Sequence, residues 1–202
     1  MGYDFYKPIK PPTELCELAL KYGTDKCPAL GHFYTPFYYE FLKDKRHSIK
    51  KVLEVGIGGK INIRYTPNHI IGPSLKMWRD FFPNAQIYGA DYTPRLLFQD
   101  ERIETFLCDA RNKDDLVKLI GKTGSDIDLF IDDADHKFST QVDMCLNLMP
   151  LLKKDVIYCI EDITFPVRLE KALKPHYKCW YPSLQQERKV RVDRLLIVTN
   201  YD

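Results

Sequence analysis

The chain has 202 residues, 45% hydrophobic and 29% charged, an ordinary globular composition at the length of a single domain with a sizeable core. Its 30 basic and 28 acidic side chains leave a formal charge of +2, scattered rather than striped, which argues against a nucleic-acid partner. No segment approaches the roughly 18 apolar residues of a membrane span, no signal-peptide pattern follows Met1, and the six cysteines form no CxxC pair, so the expectation is free thiols in a reducing, cytoplasmic compartment with no membrane partner.

Pro8, Pro11 and Pro12 make the start an extended lead-in. Its aromatics Tyr3, Phe5 and Tyr6 suit packing on a neighbouring subunit or on the chain itself, so a homo-oligomer stays open. Thr13 predicts the cap of a helix over 14–22, ended by Gly23. A turn-rich loop over 23–36 leads to a second amphipathic helix over 37–45. Residues 1–48 therefore read as a helical cap on a core of 49–202, within one domain.

The first strong strand, over 51–55, runs into Gly56-Ile57-Gly58-Gly59. After a long loop, Ser74 is the expected cap of a helix with an apolar face of Leu75, Met77, Trp78, Phe81 and Phe82. Strands are then expected over 86–90, 103–108, 127–131 and 156–160, ending at Asp91, Asp109, Asp132-Asp133 and Glu161-Asp162. Helices over 113–120, 139–149 and 167–173 alternate with them. Two last strands, near 177–181 and 194–199, have only a charged turn between them, too little for a parallel crossover, so this pair should be antiparallel. The pattern predicts an α/β protein with a doubly wound, mostly parallel seven-stranded sheet and a C-terminal antiparallel strand.

Ligands of such sheets lie beyond the carboxyl ends of the strands, and each of the first five predicted strands brings a carboxylate there. One such residue merely caps a helix; so many together need cations, hydroxyls or amide donors as partners. Glycines after the first strand let a ligand approach the backbone. The third glycine of a dinucleotide fingerprint is missing, and Glu54 precedes the loop, where it can pair with an ammonium group. A helix start at Ser74 can receive a carboxylate. Asp91 stands where ribose hydroxyls are held, and Asp109 can accept from an adenine amine. An amino-acid-bearing nucleoside cofactor fits better than a pyrophosphate. Asp132, Asp133, Glu161 and Asp162 suit a hard divalent ion such as Mg²⁺, which could hold two oxygens of a diol. His136 reads either as a general base beside them or as a helix-capping surface histidine.

These residues resemble the class I S-adenosylmethionine-dependent methyltransferases, and more narrowly the metal-dependent sugar O-methyltransferases of macrolide pathways. The resemblance runs through Tyr22-Gly23-Thr24-Asp25-Lys26, His32-x-Tyr34-Thr35-Pro36, Leu53 to Gly59, Ser74 to Trp78, Tyr88 to Asp91, Asp132-Asp133-x-x-His136 and Ile160-Glu161-Asp162. It implies a Rossmann-like fold and an O-methyltransferase using S-adenosylmethionine and Mg²⁺ on a small acceptor, a sugar or other diol. It implies Asp133, Glu161 and Asp162 as metal ligands, and His136 with Asp133 as the catalytic pair. Cofactor contacts would come from Glu54, Gly56, Gly58, Ser74, Asp91, Asp109 and Asp132, and from a closing loop with Tyr22, Thr24, His32, Tyr34 and Thr35. Departures are Ala134-Asp135 where Gly-Ser is usual and an insertion, Lys60–Gly72, that is not glycine-rich. Metal-independent methyl transfer and a non-catalytic cofactor-binding module are the alternatives.

Overall fold

The computed structural model describes residues 12–58, 70–184 and 193–201. The N-terminal arm with Tyr3, Phe5 and Tyr6, most of the 60–72 insertion and the charged turn after 184 lie outside the described residues.

Among the described residues, eight strands form one sheet: β1 (Lys51–Val55), β2 (Gln86–Asp91), β3 (Gln99–Asp100), β4 (Ile103–Leu107), β5 (Leu129–Asp132), β6 (Ile157–Ile160), β7 (Lys178–Trp180) and β8 (Leu196–Thr199). Their order is β3-β4-β2-β1-β5-β6-β8-β7. The five central strands are parallel; β8 runs antiparallel between β6 and β7, as the missing crossover required. The strand beyond the expected seven is β3, a two-residue antiparallel edge on β4, too short to leave a sequence pattern.

Strand alternation divides the core into two layers. Val52, Ile87, Ile131 and Cys159 face α1 (Glu14–Tyr22), α2 (Tyr34–Leu42) and α3 (Pro73–Phe81), around Trp78 and Tyr38. Leu53, Phe130, Tyr158 and Ile160 face α4 (Lys113–Thr123), α5 (Phe138–Leu148) and α6 (Pro166–Leu173). Both faces are covered, which is why the central strands read as continuous apolar runs. α1 and α2 share the first core layer with the sheet and α3.

Local chemistry sets the helix ends. Thr13 accepts from the Cys16 N–H at 3.3 Å, and Gly23 closes α1 in the left-handed region at φ 77°. α2 begins three residues earlier than periodicity suggests. The Tyr34 and Thr35 N–H groups donate to the Lys26 carbonyl at 3.2 and 3.0 Å, and Pro36 falls in the first turn, where its missing donor costs nothing. Ser74 is not a cap: Gly72 at φ 60° and Pro73 start α3, and Ser74 lies in its first turn. α4 continues through Gly121 to Thr123, ending at Gly124.

Asp128 ties the base of the sheet together, taking the Lys50 and Lys51 N–H groups at 2.6 and 2.9 Å and the Lys153 ammonium. Despite burial, the lysine and the two amides hold its pKa below the usual carboxylate value. A depressed folded pKa means stability that is present above the unfolded value, near 4, and lost as pH falls through the lower folded one. Asp128→Ala is expected to cost about 2 kcal/mol at neutral pH by urea titration, and the difference from wild type should shrink below pH 4.

The parallel register puts Val55 beside both Ala90 and Asp132, and Asp132 beside Ile160. The residues just after these strands therefore emerge at one edge. The strand order reverses at β1, so the crevice for a ligand opens above it.

Candidate functional site

A cavity of about 480 Å³ occupies that crevice. Gly56 and Gly58 form its floor. Gly56 sits at φ +93°, and a Cβ there would lie 2.0 Å from the Asp133 carbonyl oxygen, so only glycine lets the tips of β1 and β5 touch. The contact is fixed by Asp133 N–H donating to Val55 O at 2.9 Å, while Gly56 N–H donates to Ala90 O of β2 at 2.8 Å. A side chain at Gly58 would meet Leu96 at 2.8 Å, so the loop stays flush with the cavity.

Asp91 lines the cavity, its oxygens accepting from the Ile57 and Thr93 N–H groups at 3.3 and 2.8 Å. Each oxygen keeps a second lone pair for a hydroxyl. Asp109 also lines it, with Arg111 forked across both oxygens at 2.8 and 2.7 Å, which holds its pKa below the usual value. Ser74 lines the cavity but turns its hydroxyl onto Glu54 at 2.8 Å. Glu54 is fully buried, its other oxygen taking the Trp78 indole N–H at 2.7 Å. It locks β1 to α3 and does not line the cavity.

The other part of the cavity is acidic. His136 Nε2 lies 3.2 Å from Asp133 Oδ1, and its Nδ1 lies 3.6 Å from Asp162 Oδ2. Donor atoms of Asp133, His136 and Asp162 all fall within 4.8 Å of one another. His136 and Asp162 both hold positive φ, 57° and 50°, an arrangement that non-glycine residues adopt only when their surroundings impose it. The Asp133 hydrogen bond, reinforced by the surrounding carboxylates, raises His136 to about 9 against its partial burial. Tyr34 donates its hydroxyl to Asp162 at 2.8 Å and stacks on His32. His32 Nδ1 lies 2.9 Å from Asp193, whose other oxygen takes the Phe33 N–H at 2.7 Å. Thr24 and His32 thus line the cavity from the loop after α1, and Tyr34 lines it from the start of α2.

Glu161 departs from the expected ligand set. One oxygen takes the Tyr38 hydroxyl at 2.7 Å and the other the Lys26 ammonium. Lys26 also donates to Asp133 at 2.7 Å and lies 3.6 Å from Glu54, with only 3% of its side chain exposed. Burial opposes the lysine charge, but Asp133, Glu161 and Glu54 outweigh it and hold its pKa well above the ordinary value. One ammonium cannot neutralise three carboxylates, so burial pushes Glu54 and Glu161 upward, while Lys26 and His136 hold Asp133 down.

Three further expected residues sit off the cavity. Tyr22 turns its hydroxyl to Asp80 on α3 at 2.5 Å, because the left-handed cap at Gly23 carries the chain away from it. Thr35 is fully buried, its hydroxyl 3.2 Å from Cys16 Sγ. Asp132 is buried, its Oδ2 without a hydrogen-bond partner among the described residues, and burial pushes it up to about 7. Sequence reasoning assigned no role to Lys26, Tyr38 or Asp193. For Lys26 the signal was the surplus of strand-end carboxylates in need of a cation; Asp193, 161 residues from His32, left none.

No family model matches the chain. It is 34% identical over 152 residues to a tetracenomycin rhamnosyl 3'-O-methyltransferase of Streptomyces olivaceus, covering 75% of this chain and 37% of that protein. It is 33% identical over 150 residues to the mycinamicin VI 2''-O-methyltransferase of Micromonospora griseorubida, covering 74% and 36%. The chain therefore spans a little over a third of these curated relatives. Among solved structures, the MycE methyltransferase of the mycinamycin pathway, in complex with Mg, S-adenosylhomocysteine (SAH) and mycinamycin VI, superposes with a TM-score of 0.72 at 24% identity. That match covers 95% of this chain and 55% of the other. The chain thus has the class I S-adenosylmethionine-dependent methyltransferase fold and is a homologue of the macrolide and tetracenomycin sugar O-methyltransferases.

Proposed function

We propose that the chain transfers the methyl group of S-adenosylmethionine to a sugar hydroxyl of a small glycoside, with Mg²⁺ in the acidic part of the cavity. The observation that carries this reading is the convergence of Asp133, His136 and Asp162 in the same cavity as Gly56, Gly58 and Asp91. The donor set fits a hard cation: Asp133 and Asp162 offer carboxylate oxygens within reach of one another. Bound there, Mg²⁺ supplies a Lewis acid that orients paired hydroxyls, lowers the pKa of the attacking one and draws the Asp133 charge away from His136.

The chain's own residues do the rest. Asp91 receives ribose hydroxyls, the Gly56–Gly58 turn admits the cofactor to backbone contact, and Asp109 with Arg111 bounds the adenine end. Thr24, His32 and Tyr34 flank the acceptor side and exclude water. His136 accepts the acceptor proton at Nδ1, because Nε2 donates to the Asp133 carboxylate that orients the ring. Much of the acceleration comes from holding the hydroxyl oxygen in line with the sulfonium methyl.

One observation favours a metal-independent variant: Lys26 already supplies a cation beside Asp133. Chelator-treated protein with labelled S-adenosylmethionine and a panel of rhamnosyl and deoxysugar glycosides separates the two. We expect product only after Mg²⁺ is restored. Undiminished turnover in excess EDTA selects the metal-independent variant, and tight cofactor binding with no product on any glycoside rejects the enzyme reading.

A further inference from the structure

A cavity suited to a divalent ion has a lysine in it. Lys26 is fixed at its backbone, because its carbonyl anchors the first two N–H groups of α2. Its side chain is buried, so the ammonium has no water to retreat to. Both oxygens of Glu161 are engaged, one by Lys26 and one by Tyr38, and Glu161 is not among the donor atoms that gather around Asp133, His136 and Asp162. A divalent ion at Asp133 would lie next to a positive charge already hydrogen-bonded to that carboxylate at 2.7 Å. Like charges at such separations repel strongly even under generous dielectric screening.

We propose that Lys26 is the resident cation of this site and sets its affinity for divalent ions. It keeps Asp133 and Glu161 paired, which holds the loop after α1 on the cluster. By repelling a second positive charge, it keeps the ion weakly held and exchangeable. Lys26 is thus a positioning residue for the cluster, and the inference rests on the metal reading above.

Mn²⁺ binding to chelator-treated protein, followed by electron paramagnetic resonance, tests it. Lys26→Met keeps the length of the side chain and removes its charge. The Mn²⁺ dissociation constant should fall at least about tenfold relative to wild type, while Lys118→Met, a surface charge loss, leaves it unchanged. A purely structural lysine would weaken binding or leave it alone. A folded Lys26→Met protein that binds Mn²⁺ no more tightly than wild type overturns the inference and leaves the metal reading standing. Should Lys26→Met not fold by itself, recovery of a cooperative melt on adding Mn²⁺ supports the inference, and no recovery at millimolar Mn²⁺ overturns it. Mn²⁺ binding to neither protein defeats the metal reading itself, and the inference with it.

Discussion

Asp133→Asn is expected to reduce methyl transfer on the order of 10³-fold while S-adenosylhomocysteine still binds by calorimetry. Asp133 is where three demands meet: Oδ1 faces His136, Oδ2 takes Lys26, and the carboxylate belongs to the group of donor atoms that suits a cation. The amide keeps the shape and loses the charge. His136 then loses its orienting anion, and the cation site loses one of its two carboxylates. The backbone of the same residue packs on Gly56, so the cofactor floor should survive the side-chain change. Turnover within threefold of wild type, in the presence of a chelator or without it, would remove Asp133 from the chemistry.

Gly56→Ala should be the most damaging small substitution in the cofactor floor. Alanine is disfavoured at φ +93°, and its methyl carbon would need to occupy space 2.0 Å from the Asp133 carbonyl oxygen. Relief requires β1 and β5 to separate at their tips, which breaks the Asp133–Val55 hydrogen bond. We expect a loss of about 3 kcal/mol or more, a Tm lower by roughly 10 °C, and no measurable S-adenosylhomocysteine binding. Gly121→Ala is the contrast: it sits inside α4 with no atom of the described residues beyond its own helix within 4 Å of a new methyl. It should raise stability by about 0.5–1 kcal/mol. Equal melting temperatures for the two variants would show that the Gly56 contact is not under the strain described.

Much of the site was legible because strand-end chemistry is local. Gly56, Gly58, Asp91 and Asp109 follow apolar runs, so each could be sent to the carboxyl edge without knowing how the strands pair. Asp133, His136 and Asp162 were legible for the same reason. Asp132 illustrates the limit: strand alternation turns adjacent carboxylates in opposite directions, and one residue of register decides which faces the ligand. Ser74 shows another limit, since Pro73 and the left-handed Gly72 start the helix before it, leaving its hydroxyl for Glu54.

The sequence by itself determined the alternation of strand and helix, the antiparallel ending and the arrival of carboxylates at one edge, because apolar periodicity and crossover length act over short stretches of chain. Only the tertiary structure decided which partner each carboxylate takes. Lys26 meets Asp133 and Glu161 across 107 and 135 residues, Tyr38 meets Glu161 across 123, and Asp193 reaches back 161 to His32. Such pairings follow from which buried charges find a partner once the layers close, and no local pattern encodes them.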